Sequence, residues 1–200
     1  MQLLVATRNK HKLKEIETIL AELQFDLRCA TDIPGLPDVI EDGATVRDNA
    51  IKKAVETAKM ARMLTLADDT GLEVDALNGE PGVRSARYAG DEATDFENIK
   101  KLLVNLKGLP LEKRSARFRC VVAIADENGL VDCVEGICNG AIIADEKGGG
   151  GFGYDPLFIA DGQVKTFAEI SIDVKNRISH RGKALQKAWA VLSRYLREKA

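Results

Sequence analysis

The sequence predicts an α/β fold with flanking helices, in which a second lobe shares the sheet of the first and a substrate cleft lies between the lobes. Three observations carry this expectation. A strand, a polar loop, a helix and a second strand follow one another within the first thirty residues. Helical stripes with capping signatures then recur up to residue 106. Beyond them, residues 116–143 read as one long hairpin.

Residues 2–6 read as a buried strand, and Thr7 to Lys10 is polar. Leu13, Ile16, Ile19, Leu20 and Leu23 recur at helical spacing, whereas Phe25, Leu27 and Cys29 alternate with polar residues as a strand does. A helix between two strands implies that they pair in parallel. After a loop with Pro34, Gly35, Pro37 and Gly43, Thr45 and Asp48 form a capping box with Asp in place of Glu. The helix they open carries Val46, Ala50, Ala54, Ala58 and Ala61 on one side. Residues 64–67 predict a short strand ending in Asp68-Asp69-Thr70-Gly71. Thr94 and Glu97 open a helix through Phe96, Ile99, Leu102, Leu103 and Leu106, closed by Gly108 and Pro110. Asn128-Gly129 joins the two strands of the hairpin, and four glycines at 148–151 precede Phe152-Gly153-Tyr154-Asp155. The last helix bears the stripe Leu185, Ala188, Trp189, Leu192 and Tyr195. With no internal repeat and no linker, residues 1–200 read as a single domain.

Bulk properties exclude several functions. Twenty-nine basic residues stand against 31 acidic ones, so the basic surplus of a duplex-binding protein is absent and no nucleic-acid partner is expected. No apolar run reaches the length of a membrane span, and the first residues lack the basic region and cleavage site of a signal peptide. A cytoplasmic protein without a membrane partner is expected. No two of Cys29, Cys120, Cys133 and Cys138 make a C-x-x-C pair, which argues for reduced structural thiols over a zinc site.

Several segments carry chemistry. Thr7-Arg8-Asn9-Lys10-His11-Lys12 follows a strand and opens a helix, where free backbone N–H groups and the positive helix end favour a phosphate. It lacks the glycines of a P-loop, and read alone it is equally a solvated helix start. Asp68 and Asp69 are suited to hold Mg²⁺ or to activate water, and on an extended path they point to opposite sides. By themselves they read as a turn with an N-cap acid. Glu41-Asp42-Gly43 adds acid in a long loop, with Lys52 and Lys53 on the helix after it. Phe152 and Tyr154 offer flat faces to a base and Asp155 an acceptor, the alternative being a flexible hairpin end with two core aromatics. In Ser179-His180-Arg181-Gly182, Ser179 is a natural N-cap and Arg181 a fork of donors for a carbonyl or a phosphate. Two cations at a helix N-terminus oppose its dipole, which argues for a function there.

In this order the segments resemble the inosine triphosphate pyrophosphatase family, the dITP/XTP pyrophosphatases, over nearly the whole chain. The resemblance rests on Thr7, Asn9 and Lys12, on residues 41–43 before Asn49, Ala50 and Lys53, and on Asp68-Asp69-Thr70-Gly71 with Thr for the family's Ser. Pro81-Gly82, Ser85-Ala86-Arg87-Tyr88, residues 152–155, Lys175 and residues 179–182 continue it, while Arg84 stands where the family often has an aromatic residue.

The resemblance implies a two-lobed fold around a long mixed sheet, a homodimer, and hydrolysis of ITP, dITP or XTP to the monophosphate and pyrophosphate. It further implies Asp69 as Mg²⁺ ligand and general base, with Glu41 sharing the metal. Residues 7–12 (Thr7, Arg8, Asn9, Lys10, His11, Lys12), Lys53 and Thr70 would hold the triphosphate. Phe152, Gly153, Tyr154, Asp155, Lys175, His180 and Arg181 would read the base and hold the nucleoside, with Arg181 donating to the C6 carbonyl. The other readings are a pyrophosphatase for modified pyrimidine nucleotides and a non-catalytic nucleotide sensor.

Overall fold

The structure is a computed structural model that describes residues 1–23 and 25–199. Its strands form one mixed sheet in the order β2-β1-β3-β5-β6-β7, with β4 paired to β3 off this path. The chain divides into two compact units, residues 1–69, 120–136 and 181–200 in the first and residues 70–119 and 137–180 in the second.

The first unit begins with β1 (Gln2–Val5), α1 (Lys10–Leu20) and β2 (Asp26–Cys29), followed by α2 (Val46–Ala61) and the start of β3 (Thr65–Val74). β1 pairs in parallel with β2, Leu3 opposite Leu27, and with β3, Val5 opposite Leu66. Period-two alternation splits β1 between two cores. Leu3 and Val5 join Ile16 and Leu20 of α1, Leu66, and Val122 and Ile124 of β5 (Ser115–Asp126). Leu185, Ala188 and Leu192 of α5 (His180–Lys199) close that core. Leu4 turns the other way, onto Ala30, Leu36 and, at the end of α2, Ala61. The Thr45–Asp48 capping box forms as read from the sequence. Two expectations fail here. β3 does not stop before the acids but runs ten residues through Asp68-Asp69-Thr70-Gly71. Trp189 is 39 % exposed, so the α5 stripe is narrower than its apolar residues indicate.

In the second unit β3 ends against β4 (Pro81–Gly82), antiparallel, and α3 (Asp95–Asn105) follows with its Thr94–Glu97 capping box. Ile99, Leu102 and Leu106 pack with Phe118, Leu157, Phe158 and Phe167, whereas Phe96 is exposed on the far side of α3. β6 (Gly129–Ile142) follows β5 after two turn residues, Glu127 and Asn128. β7 (Phe158–Ala160) pairs antiparallel with β6, Gly140 opposite Ala160. A side chain at Gly140 would strike the Ile159 carbonyl and the Phe158 ring, so this pairing requires glycine. The short α4 (Ile172–Ile178) precedes α5.

Candidate functional site

The loop from β1 to α1 is organised by its own side chains. Asn9 is the N-cap of α1, its Oδ1 accepting from the backbone N–H of His11 at 2.9 Å and of Lys12 at 3.2 Å. Thr7 Oγ1 accepts from Asn9 N at 3.2 Å. Three of the N–H groups expected to face a phosphate are thus already engaged by side chains of the loop itself. Arg8 turns away to Asp38 and the Leu36 carbonyl, and Lys10 and His11 are exposed.

Lys12 reaches the acids of β3. Its ammonium meets Asp68 Oδ2 at 3.1 Å, and Arg181 meets the same oxygen at 3.1 Å while its Nη1 bonds Glu15 of α1. Asp68, Arg181 and Glu15 are all at least 95 % buried. Burial alone would raise the Asp68 carboxyl, but Lys12, Arg181 and Lys53 outweigh it and hold the group well below the carboxylate range. Asp68 Oδ1 has no hydrogen-bond partner among the described residues.

Asp69, the next residue on an extended path, meets a different neighbour. Its Oδ2 accepts from Asn49 Nδ2 of α2 at 3.2 Å, and Asn49 Oδ1 accepts from Gly43 N at 2.7 Å. One turn along α2, Lys53 Nζ bonds Glu41 at 2.5 Å. Burial works against the Lys53 charge, yet Asp68, Glu41 and Asp69 raise its pKa and keep it protonated. Lys52 pairs with Asp42 at the surface. The sequence-predicted residues Lys12, Glu41, Lys53, Asp69 and Arg181 therefore gather in the first unit, with Asp68. Glu15 joins them without having been singled out, and Asn49, named only as part of the resemblance, joins them without an assigned role. The available signals were a carboxylate beside the apolar stripe of α1, and an Asn preceding Ala50 on the buried side of α2.

The second unit holds the other set. Lys175 Nζ bonds Asp155 Oδ2 at 2.6 Å, and that oxygen also accepts from Phe152 N at 2.9 Å. The ammonium lies 4.8 Å from the centre of the Phe152 ring and 5.7 Å from that of Phe167, a cation–π arrangement. His180 stacks on Phe118, with ring centres 4.5 Å apart and planes 16° from parallel. Gly153 N donates to Asp95 at 2.7 Å, and Thr70 is half-buried on β3. One expectation is corrected. Tyr154 is 4 % exposed, lies in the core and donates its hydroxyl to the Ser85 carbonyl, so its ring offers no open face. The glycines at 148 and 150 approach the backbone of Ala168, and Gly151 the Asp155 carboxylate, so they serve the chain's own packing.

Among the described residues no three His, Cys, Asp or Glu side chains cluster as a complete metal cage. Mg²⁺ is held by one or two carboxylates together with substrate phosphates and water, and the donors present are carboxylate oxygens. Asp69, held by Asn49, and Glu41, held by Lys53, are such donors.

A model of the Ham1 family matches residues 3–191. The chain is 52 % identical over 194 residues to a dITP/XTP pyrophosphatase of Desulforamulus reducens, covering 97 % of this chain and 96 % of the relative. It is 48 % identical to one of Geobacter sulfurreducens, covering 92 % of each. A HAM1 protein structure from Coxiella burnetii superposes with a TM-score of 0.87 at 40 % identity, covering 97 % of this chain and 99 % of that one.

Proposed function

This chain belongs to the Ham1 family, and on that footing we propose that it hydrolyses deaminated purine nucleoside triphosphates, ITP, dITP and XTP, to the monophosphate and pyrophosphate. Its role is then to clear these nucleotides from the pool before polymerases use them. One observation carries the assignment of the chemistry. Two adjacent buried carboxylates meet different partners, Asp68 the cations Lys12 and Arg181, and Asp69 the amide of Asn49.

In this reading Asp69 orients a water and takes its proton as the oxygen attacks the α-phosphorus. The bond from the α-phosphorus to the bridging oxygen breaks, and pyrophosphate leaves with that oxygen. Thr7, Asn9, Lys12, Lys53 and Thr70 hold the triphosphate, Lys12 and Lys53 offsetting charge that grows on the leaving group. Asp69 and Glu41 would hold Mg²⁺, which would supply further neutralisation of that charge.

Phe152, Asp155, Lys175, His180 and Arg181 are assigned to the base. Hypoxanthine and xanthine present an acceptor at C6 where adenine presents a donor. A cationic donor whose bond to the C6 oxygen is lost against the amino group of adenine discriminates by more than shape does. We further propose a cytoplasmic homodimer, which sedimentation equilibrium would test. No helix among the described residues is long and apolar enough to cross a membrane.

A panel of ITP, dITP, XTP, ATP, GTP and modified pyrimidine triphosphates with Mg²⁺ tests the reading, with pyrophosphate and orthophosphate measured separately. The expected result is one-step release of pyrophosphate, fastest from the deaminated purines. Release of orthophosphate with IDP would overturn attack at the α-phosphorus, and preference for a pyrimidine would overturn the substrate class.

A further inference from the structure

We infer that Asn49 is a positioning residue, and that the face of α2 bearing Asn49 and Lys53 fixes the two carboxylates Glu41 and Asp69 relative to each other. The inference rests on the role of Asp69 proposed above. Asn49 and Lys53 stand at i and i+4 of one helix and so share a face. Asn49 is 1 % exposed and uses both ends of its amide, Nδ2 on Asp69 and Oδ1 on Gly43 N. Gly43 lies two residues beyond Glu41, whose carboxylate is held by Lys53. Both acids are thereby tied to a single rigid element, one through a side chain and the other through a loop backbone and an ion pair.

The surroundings make this attachment specific. A Cβ at Gly43 would stand 2.7 Å from Asn49 Oδ1 and 2.8 Å from Asp48 Cβ, so the loop approaches the amide this closely only with glycine there. α2 is seated by Ala50, Ala54 and Ala58, each fully buried, and its first turn is closed by the Thr45–Asp48 box. The amide donates without adding charge. It pins one oxygen of Asp69, and so sets the direction of the other, in a neighbourhood already holding three carboxylates and two lysines. Aspartate at this position would still accept from Gly43 N but would set a like charge against Asp69. Leucine would leave Gly43 N without its acceptor.

The test uses the whole chain and four variants, Asn49→Asp, Asn49→Leu, Asp69→Asn and the exchange Asn49→Asp with Asp69→Asn. In Asn49→Asp, kcat for ITP should fall about ten- to a hundredfold, as misplacement of a reacting group does, with KM changed by less than about threefold. Its thermal midpoint should also fall. The exchange returns a donor opposite an acceptor, so its midpoint should recover toward that of the unaltered protein while activity stays absent. Asn49→Leu should lose both kcat and thermal stability. A kcat in Asn49→Asp within twofold of the unaltered protein, with Asp69→Asn inactive, would overturn the positioning role alone. An active Asp69→Asn would overturn the reading of Asp69 and the positioning role with it. An exchange variant no more stable than Asn49→Asp would show that the hydrogen bond is not what links the two residues.

Discussion

The guanidinium of Arg181 lies between Glu15 and Asp68 with 1 % of its surface exposed. Removing it would leave two buried carboxylates with only part of their charge offset. Breaking a buried pair in this way costs about 3–5 kcal/mol, so Arg181→Ala should show a markedly lower urea midpoint. The same variant, assayed where it remains folded, tests the assignment of Arg181 to the base. Loss of a donor to the C6 carbonyl should shrink the preference for ITP over ATP, in kcat/KM, by about ten- to a hundredfold. A lowered midpoint with an unchanged preference would restrict Arg181 to holding Asp68 and Glu15. Sequence alone shows Asp68, Asp69 and Arg181, because each falls in a short contiguous motif. Glu15 was not legible. Its partner lies 166 positions away, and helical periodicity gives no account of pairing at that range.

β3 shows how an element is decided by what packs against it. Asp-Asp-Thr-Gly has turn chemistry, and its Asp and Gly are poor strand formers, so the sequence predicts an end there. The strand continues because Lys12 and Arg181 for Asp68, and Asn49 for Asp69, satisfy the charges that would otherwise demand water. Helix starts were legible because capping is local, as at Thr45 and Thr94. Exposure of Phe96 and Trp189 was not, since an apolar residue adjoining a stripe carries no mark of which neighbour it lacks. Further along β3, Glu73 accepts from Arg117 at 2.6 Å and Arg119 at 2.8 Å, alternate residues on one face of β5. Burial opposes its charge, but the two guanidiniums outweigh it and hold its carboxyl below the ordinary range. A folded-state value below the unfolded one stabilises above the ordinary glutamate pKa of about 4.3 and is lost as pH falls below it. Glu73→Gln should therefore lower the thermal midpoint at pH 7 and flatten its decline between about pH 5 and 3. Parallel declines in the two proteins would show that Glu73 does not contribute to acid sensitivity.

Ligand binding links the proposed function to the stability of the whole molecule. A non-hydrolysable ITP analogue with Mg²⁺ at about 100 times its dissociation constant should stabilise the fold by about 2.7 kcal/mol, a rise of roughly 5–10 °C for a chain of this size. The ATP analogue at the same concentration should give a clearly smaller rise, and equal shifts would contradict selection at the level of binding. The division into two units has a different kind of consequence. The chain passes from one unit to the other between Asp69 and Thr70, Arg119 and Cys120, Gly136 and Ile137, and His180 and Arg181. The first of these passages lies inside Asp-Asp-Thr-Gly and the last inside Ser-His-Arg-Gly. Neither unit is a contiguous stretch of gene, and no single recombination breakpoint transplants one without the other. Exchange of one unit alone between relatives would take several crossovers, each placed at a passage between the units.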